Sequence, residues 1–258
     1  ARGKYIAFCE GDDFWHGAEK LKRQVTLLEA NAGISLICTN FRIVSDDGGV
    51  LEECRHPLGQ EESTWLSFDD LVMRRVGIQT LTVCCRARLV QETIQGSPQC
   101  QDVSLPMADL PLWLELSQSG RVLFLHDALA SYRYSNDSIT RQKSSLWIWR
   151  FNMRAWEVCY QFLERYPRSL NSSKHHNECT QLVRSQLKCA AILGDGHSAV
   201  RQMHRLKRHH AKRTIRDLVL CSSAYLPLGR RFTVPTARAV LFLWRRLRPS
   251  DHTPRGYQ

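Results

Sequence analysis

The feature that most restricts the fold of this chain is a change of hydrophobic period near residue 141. Before it, short apolar runs alternate with stretches of helical spacing; after it, long helical stretches take over. Tyr5, Ile6, Ala7 and Phe8 form an apolar run between Gly3 and the cluster Glu10-Gly11-Asp12-Asp13, the pattern of a buried strand opening into a polar loop. Leu21, Val25 and Leu28 recur at helical spacing over residues 18–30, with Asn31-Ala32-Gly33 as the stop. The reading continues with a strand over 34–44, a turn over 45–49 and an irregular, Glu-rich connection over 50–64. Ser67 and Asp70 are spaced as a capping box for a short helix to residue 75. A strand over 77–86, a short helix over 87–94 and a loop over 95–107 lead to Asp109. That residue stands just before Pro111 and the stripe Leu112, Trp113, Leu116, a helix closed by Gly120. Two strands, 122–125 and 128–134, complete the region. Strands interleaved with helices predict an α/β class with parallel strands at the centre of the sheet. Residues 145–165, 179–193 and 199–210 read as helices, so the expected domains are 1–141 and 142–258.

Charge divides at the same place. The net charge of +11 is the sum of −6 over residues 1–140 (13 Lys+Arg against 19 Asp+Glu) and +17 over 141–258 (23 against 6). An acidic front suits a metal or a cationic group, and a basic rear suits phosphates or anionic lipid. Ten cysteines without a CxxC pair indicate neither a disulfide scaffold nor a zinc ribbon, and point to reduced, buried thiols in a cytoplasmic protein. No apolar run is long enough to span a bilayer. Ala1-Arg2-Gly3-Lys4 carries neither Met nor an apolar leader, so the expectation is a chain that begins inside a longer protein.

Glu10 and Asp12, two residues apart on extended backbone, project to one side and can share one ion. Mg²⁺ or Mn²⁺ favours such carboxylates together with substrate phosphates, at the carboxyl end of a strand where α/β sheets bind ligands. The residues alone leave open a plainer role for Asp12 and Asp13, as caps or solvated charges.

The segment 1–15, Ala-Arg-Gly-Lys-Tyr-Ile-Ala-Phe-Cys-Glu-Gly-Asp-Asp-Phe-Trp, followed by Glu19-Lys20-Leu21, resembles the "GKYIA…DxDDxW…KL" segment of family 2 glycosyltransferases. A second block, from Ala108-Asp109 through Trp113 to Gly120 and on to Tyr132-Arg133 and Ser138-Ile139-Thr140, is similar to that family's "DWxLWLxLAxxG…YRxHxxSxT" segment. The resemblance implies a partial glycosyltransferase A-type, Rossmann-like sheet with a helical C-terminal region. It implies a hexosyltransferase-type enzyme moving a sugar from a nucleotide-sugar donor to a glycan or lipid-linked acceptor by inverting displacement, in cell-envelope polysaccharide synthesis. Asp12 and Asp13 would hold the metal; Glu10, standing where the family usually has Asp, and Trp15 would join them around the donor. Asp109 would be the base, with N-capping ahead of Pro111 as the alternative. Trp113, Tyr132 and Arg133 would lie on the acceptor side or serve structure. Ser135 stands where many relatives carry His. The family's opening strand and nucleoside contacts precede the metal motif, so the chain as given is expected to show little or no sugar-nucleotide binding by itself.

In the rear half, residues 201–216 are dense in Arg, Lys and His, and residues 237–248 set Val240 to Trp244 among arginines. Without interleaved aromatics the first run disfavours nucleic acid, and the pair suits an anionic membrane surface, placing the protein peripherally on the inner face of the cell membrane. The competing reading is a non-enzymatic basic helical module that binds membrane or nucleic acid. His175, His176 and Cys179 read as surface residues in a linker, and Trp147, Trp149 and Trp156 as the core stripe of a helical layer.

Overall fold

The computed structural model describes residues 2–53, 62–134, 144–167 and 173–225. The chain divides into two compact units, Ala1–Gln142 and Lys143–Gln258.

In the first unit, strands β1 (Tyr5–Ala7), β2 (Phe14–Trp15), β3 (Ile34–Val44), β4 (Val50–Glu53), β5 (Ser63–Leu66), β6 (Cys84–Arg86) and β7 (Arg121–Arg133) form one sheet. Its order is β1-β6-β3-β7-β2, with β4 added beside β3 and β5 beside β7. The long central pair β3 and β7 is parallel, and the other pairings are antiparallel. β3 is buried at every residue from Ile34 to Phe41. Successive strand residues face opposite sides, so such a run means that both faces are covered. On one side α1 (Lys20–Ala30) brings Leu28, with Val25 and Leu27, onto Ile34, Ile37, Cys84, Leu123 and Leu125. Helices α2 (Phe68–Val72), α3 (Ala87–Gly96) and α4 (Pro98–Gln101) pack with α5 (Asp109–Ser119), which also touches β3 and β7. Ser67 caps α2 in the capping box expected with Asp70.

Two glycines permit close backbone approaches. A Cβ on Gly120 would lie 2.9 Å from the Gly33 carbonyl oxygen, where β3 and β7 begin side by side, and one on Gly17 would lie 3.2 Å from the Leu129 Cα. Either contact would push strand from strand.

The strand expected over 77–86 shrinks to β6, because Thr80–Thr82 tighten into a 3₁₀ turn. The two strands expected over 122–134 are one strand, β7, continuous past His126 and Asp127 because bulges near Thr39 and Asn40 absorb the mismatch with β3. The connection over 50–64 contains β4 and the start of β5.

The second unit holds α6 (Ser145–Arg165), α7 (Ser173–Leu193), α8 (Gly196–Arg208) and α9 (Ile215–Ser223). Tyr160, Phe162, Leu163, Leu182 and Leu187 are among its fully buried side chains. His175 and Cys179 are buried within α7 rather than exposed in a linker, since a spacing of four places both on the inner face. Trp147, Trp149 and Trp156 are half-buried, and the core stripe of α6 is Ala155, Val158, Cys159, Phe162 and Leu163. Among the described residues no helix is long and apolar enough to cross a membrane. The basic stretch 237–248 and Ser135 lie outside the described residues.

Candidate active site

Because β6 runs antiparallel to both β1 and β3, the strands β1, β3 and β7 point the same way. The acidic loop, residues 8–13, leaves the carboxyl end of β1 and enters β2 at the other end of the strand order. It therefore crosses the carboxyl edge of the sheet, where open α/β sheets bind ligands.

The loop is held there mainly through backbone. The Asp13 amide donates to the Glu10 carbonyl at 3.2 Å. Asp13 Oδ1 accepts from the Arg133 amide, at the end of β7, at 2.8 Å. The Arg133 guanidinium donates to two carbonyls, Asp12 at 3.0 Å and Asp46 at 2.7 Å, and lies 5.4 Å from the centre of the Phe14 ring. Arg133 thus clamps the loop through carbonyls and makes no ion pair with its acids. Among the described residues no side-chain cation is ion-paired with Glu10, Asp12 or Asp13. Glu10 and Asp12 are exposed, while Asp13 is half-buried. Burial pushes the Asp13 carboxyl up to about 6; the Arg133 amide and the Arg133 charge oppose this, and the charges of Asp12 and Glu10 add to it.

Trp15 donates its indole N–H to the Leu81 carbonyl at 2.8 Å and packs against Phe41, Leu81 and Ala130. Beneath it lies Lys20, fully buried, its amine 4.5 Å from the centre of the Trp15 ring and donating to Gln24 Oε1 at 3.0 Å. Gln24 in turn donates to the Ile37 and Thr82 carbonyls at 3.1 and 2.9 Å. Burial pushes the Lys20 amine down to about 8.

Asp109 is the first residue of α5, not its N-cap, which is Ala108. Its Oδ1 accepts from the Leu110 amide at 2.9 Å, and Thr80 Oγ1 approaches Oδ2 at 3.5 Å. Burial raises its pKa; the Leu110 and Thr80 contacts and the charge of Arg74 pull the other way. Arg74 holds a left-handed backbone at φ 52°, a conformation costly for a residue with a Cβ.

These pieces meet on one short segment. Thr80 reaches Asp109, Leu81 receives Trp15, Thr82 receives Gln24, and Val83 receives the Phe8 amide at 3.3 Å. Trp113, one turn into α5, is 3% exposed and meets Phe8 edge to face at 5.5 Å. The acidic loop and Asp109 are therefore anchored to residues 80–83 from two sides. Trp15 and Trp113 pack and anchor, Tyr132 packs beside Phe41 and Leu81, and Arg133 positions the loop. Thr80, Arg74 and the Lys20–Gln24 pair were not singled out from sequence; a lysine and a glutamine at a spacing of four on the apolar face of α1 were the available sign. Two surface clefts, of about 220 and 350 Å³, lie elsewhere, beside Arg86 and beside Leu123.

Among the described residues no three of His, Cys, Asp and Glu converge as a metal cage. Asp12 and Asp13 nevertheless fit a hard divalent cation of the kind that takes one or two carboxylates and completes its shell with water and phosphate. Asp12 faces solvent, and Asp13 has one oxygen engaged by an amide.

The α/β sheet with its helices is consistent with a partial Rossmann-like glycosyltransferase fold, and comparison with known proteins supports a glycosyltransferase relationship. Over 167 residues the chain is 28% identical to the Bacillus subtilis protein named "Putative teichuronic acid biosynthesis glycosyltransferase TuaG", covering 64% of this chain and 58% of that protein. Over 135 residues it is 30% identical to the uncharacterized proteins Mb1547 of Mycobacterium bovis and Rv1520 of Mycobacterium tuberculosis, covering 52% of this chain and 35% of each of them. The chain thus matches only about a third to somewhat over half of the length of these relatives. No protein-family model matches it.

Proposed function

We propose that residues 1–141 are the C-terminal part of a family 2 glycosyltransferase catalytic domain, and residues 142–258 a basic helical extension. The enzyme moves a sugar from a nucleotide-sugar donor to a glycan or lipid-linked acceptor of the cell-envelope polysaccharide. One observation carries this reading: the acidic loop and Asp109 are tied to the same residues, 80–83, at the carboxyl edge of the sheet.

A sugar hydroxyl is a poor nucleophile until a base takes its proton. Asp109 fills that role, and its raised pKa makes it a stronger proton acceptor than an exposed aspartate. As the acceptor oxygen bonds to the anomeric carbon, the bond to the diphosphate breaks on the opposite face and the proton passes to Asp109, with inversion. Asp12 and Asp13, with Glu10 beside them, would hold a Mg²⁺ or Mn²⁺ ion, which would supply counter-charge to the leaving group. Arg133 keeps the loop in register for this, and Trp15 fixes its far end to Leu81. The likeness to the Bacillus protein supports the transfer chemistry and the polysaccharide setting.

Asp109→Asn in the full-length enzyme tests the assignment. Transfer is expected to fall by roughly 10² to 10⁴-fold, with the KM for the donor and metal binding kept. Unchanged transfer would remove Asp109 as the base.

A further inference from the structure

The outer face of α9 carries an apolar stripe that no described residue covers. Its inner face is Asp217, Leu220, Cys221 and Ala224, packed on α7 and α8. On the outer face Ile215 is 82% exposed, Leu218 51% and Val219 59%, while the Tyr225 ring, just beyond the helix, lies against Gly196 of α8. Ile215, Leu218 and Val219 follow i, i+3, i+4, so they line one side of the helix axis. A soluble helix normally turns such side chains inward. Here a capping box of Thr214 and Asp217 fixes the first turn, and Arg184 holds Asp217 at 3.1 Å, so the outward orientation is set by the packing of the helix and not by fraying.

The charge around the stripe is one-sided. Lys212 and Arg213 are exposed immediately before the helix, and Arg216 is exposed on it. The five acids among the described residues of this unit are turned to internal tasks. Glu157 pairs with Arg205 and Glu164 with Arg208, Asp195 caps α8, Asp217 caps α9 and Glu178 is buried. Among the described residues no exposed acid borders the stripe to repel an anionic surface.

We propose that the outer face of α9 docks on an anionic lipid bilayer, with Ile215, Leu218 and Val219 entering the headgroup–acyl boundary and Lys212 and Arg213 meeting the phosphates. An apolar stripe edged by cations is the pattern of a helix lying in the interface plane, and three exposed cations beside it, with no described acid among them, suit an anionic bilayer better than a protein surface of mixed polarity. The inference goes beyond the transfer reaction, and none of its residues belongs to the candidate active site. Loss of lipid binding and loss of transfer are therefore separate results.

Sedimentation of the whole chain with vesicles tests it, comparing mixed phosphatidylglycerol–phosphatidylcholine with phosphatidylcholine alone. Wild type is expected to pellet with the anionic vesicles and to be released by added salt. The double variant Leu218→Ser with Val219→Ser, and separately Lys212→Glu with Arg213→Glu, should each lower partition by about tenfold or more with an unchanged circular dichroism spectrum. The proposal fails if wild type stays in the supernatant, if neutral vesicles bind it equally, or if the serine pair partitions like wild type. It fails equally if the serine pair converts a dimer to a monomer on size exclusion, since a second copy would then cover this face.

Discussion

The acids of the helical unit and those of the loop at Glu10, Asp12 and Asp13 are treated in opposite ways, although elsewhere the α/β unit also pairs its acids, as in Lys4–Glu29 and Arg75–Asp70. In the helical unit Glu157 lies 2.6 Å from Arg205, and Asp217 lies 3.1 Å from Arg184 while capping α9. There the partners push the carboxyl pKa values of Glu157 and Asp217 down, although burial alone would raise them. In the α/β unit Glu10, Asp12 and Asp13 crowd on one loop, the nearby Arg133 is spent on carbonyls, and burial raises the pKa of Asp13. Paired acids stabilise a fold. Acids kept together without a counter-charge cost stability and make sense when a ligand supplies the missing charge.

The contrast can be broken most forcefully at Glu157. Replacing it by Ala leaves the Arg205 guanidinium, whose side chain is 15% exposed, beside the Tyr160 ring without its anion, and should cost about 2 kcal/mol in urea unfolding, less than for a fully buried pair. A change within a few tenths would mean that the pair is ornamental. Asp13→Asn should act with the opposite sign. At neutral pH it removes a carboxylate that is harder to ionise folded than unfolded and keeps an oxygen for the Arg133 amide. In the presence of a chelator stability should rise by about 1 kcal/mol, after discounting the pKa shift for solvent; destabilisation would place Asp13 among the structural acids. The smallest effect concerns His209, whose Nε2 lies 2.9 Å from the Tyr160 hydroxyl. Burial lowers its pKa from 6.5, opposed by Glu164 and aided by His176, His175 and Arg208. The unfolded chain then binds more protons, so stability is lost as pH falls through 6.5 toward the folded value. His209→Gln should flatten the melting temperature between about pH 7.5 and 5.5, and an unaltered slope would clear His209 of the effect.

Much of the scaffold is legible locally. The strand Ile34–Val44 is a long apolar run between Gly33 and a turn, and the Ser67–Asp70 box and the Asp109–Pro111 start carry their own backbone chemistry. What escapes local reading depends on partners. Phe14–Trp15 is a strand only because β7 offers an edge, and two residues have no period to detect. The polar pair His126 and Asp127 interrupts the alternation of β7, but bonds to β3 carry the backbone through. Lys20, a charged residue, reads as solvated, yet the Trp15 ring and Gln24 receive it in the core.

Sequence alone determined the period change near residue 141 and the acidic front and basic rear, because periodicity and charge are properties of the residues themselves; Glu10, Asp12, Asp13 and Asp109 stand out in it through the likeness of two segments to family 2 glycosyltransferases. Only the tertiary structure decided that Thr80–Val83 is where loop and helix meet, that Arg133 clamps backbone in preference to carboxylates, and that α9 turns Ile215, Leu218 and Val219 outward. Each of these depends on which distant segment occupies a given side of a strand or helix, and that is set by packing across the chain.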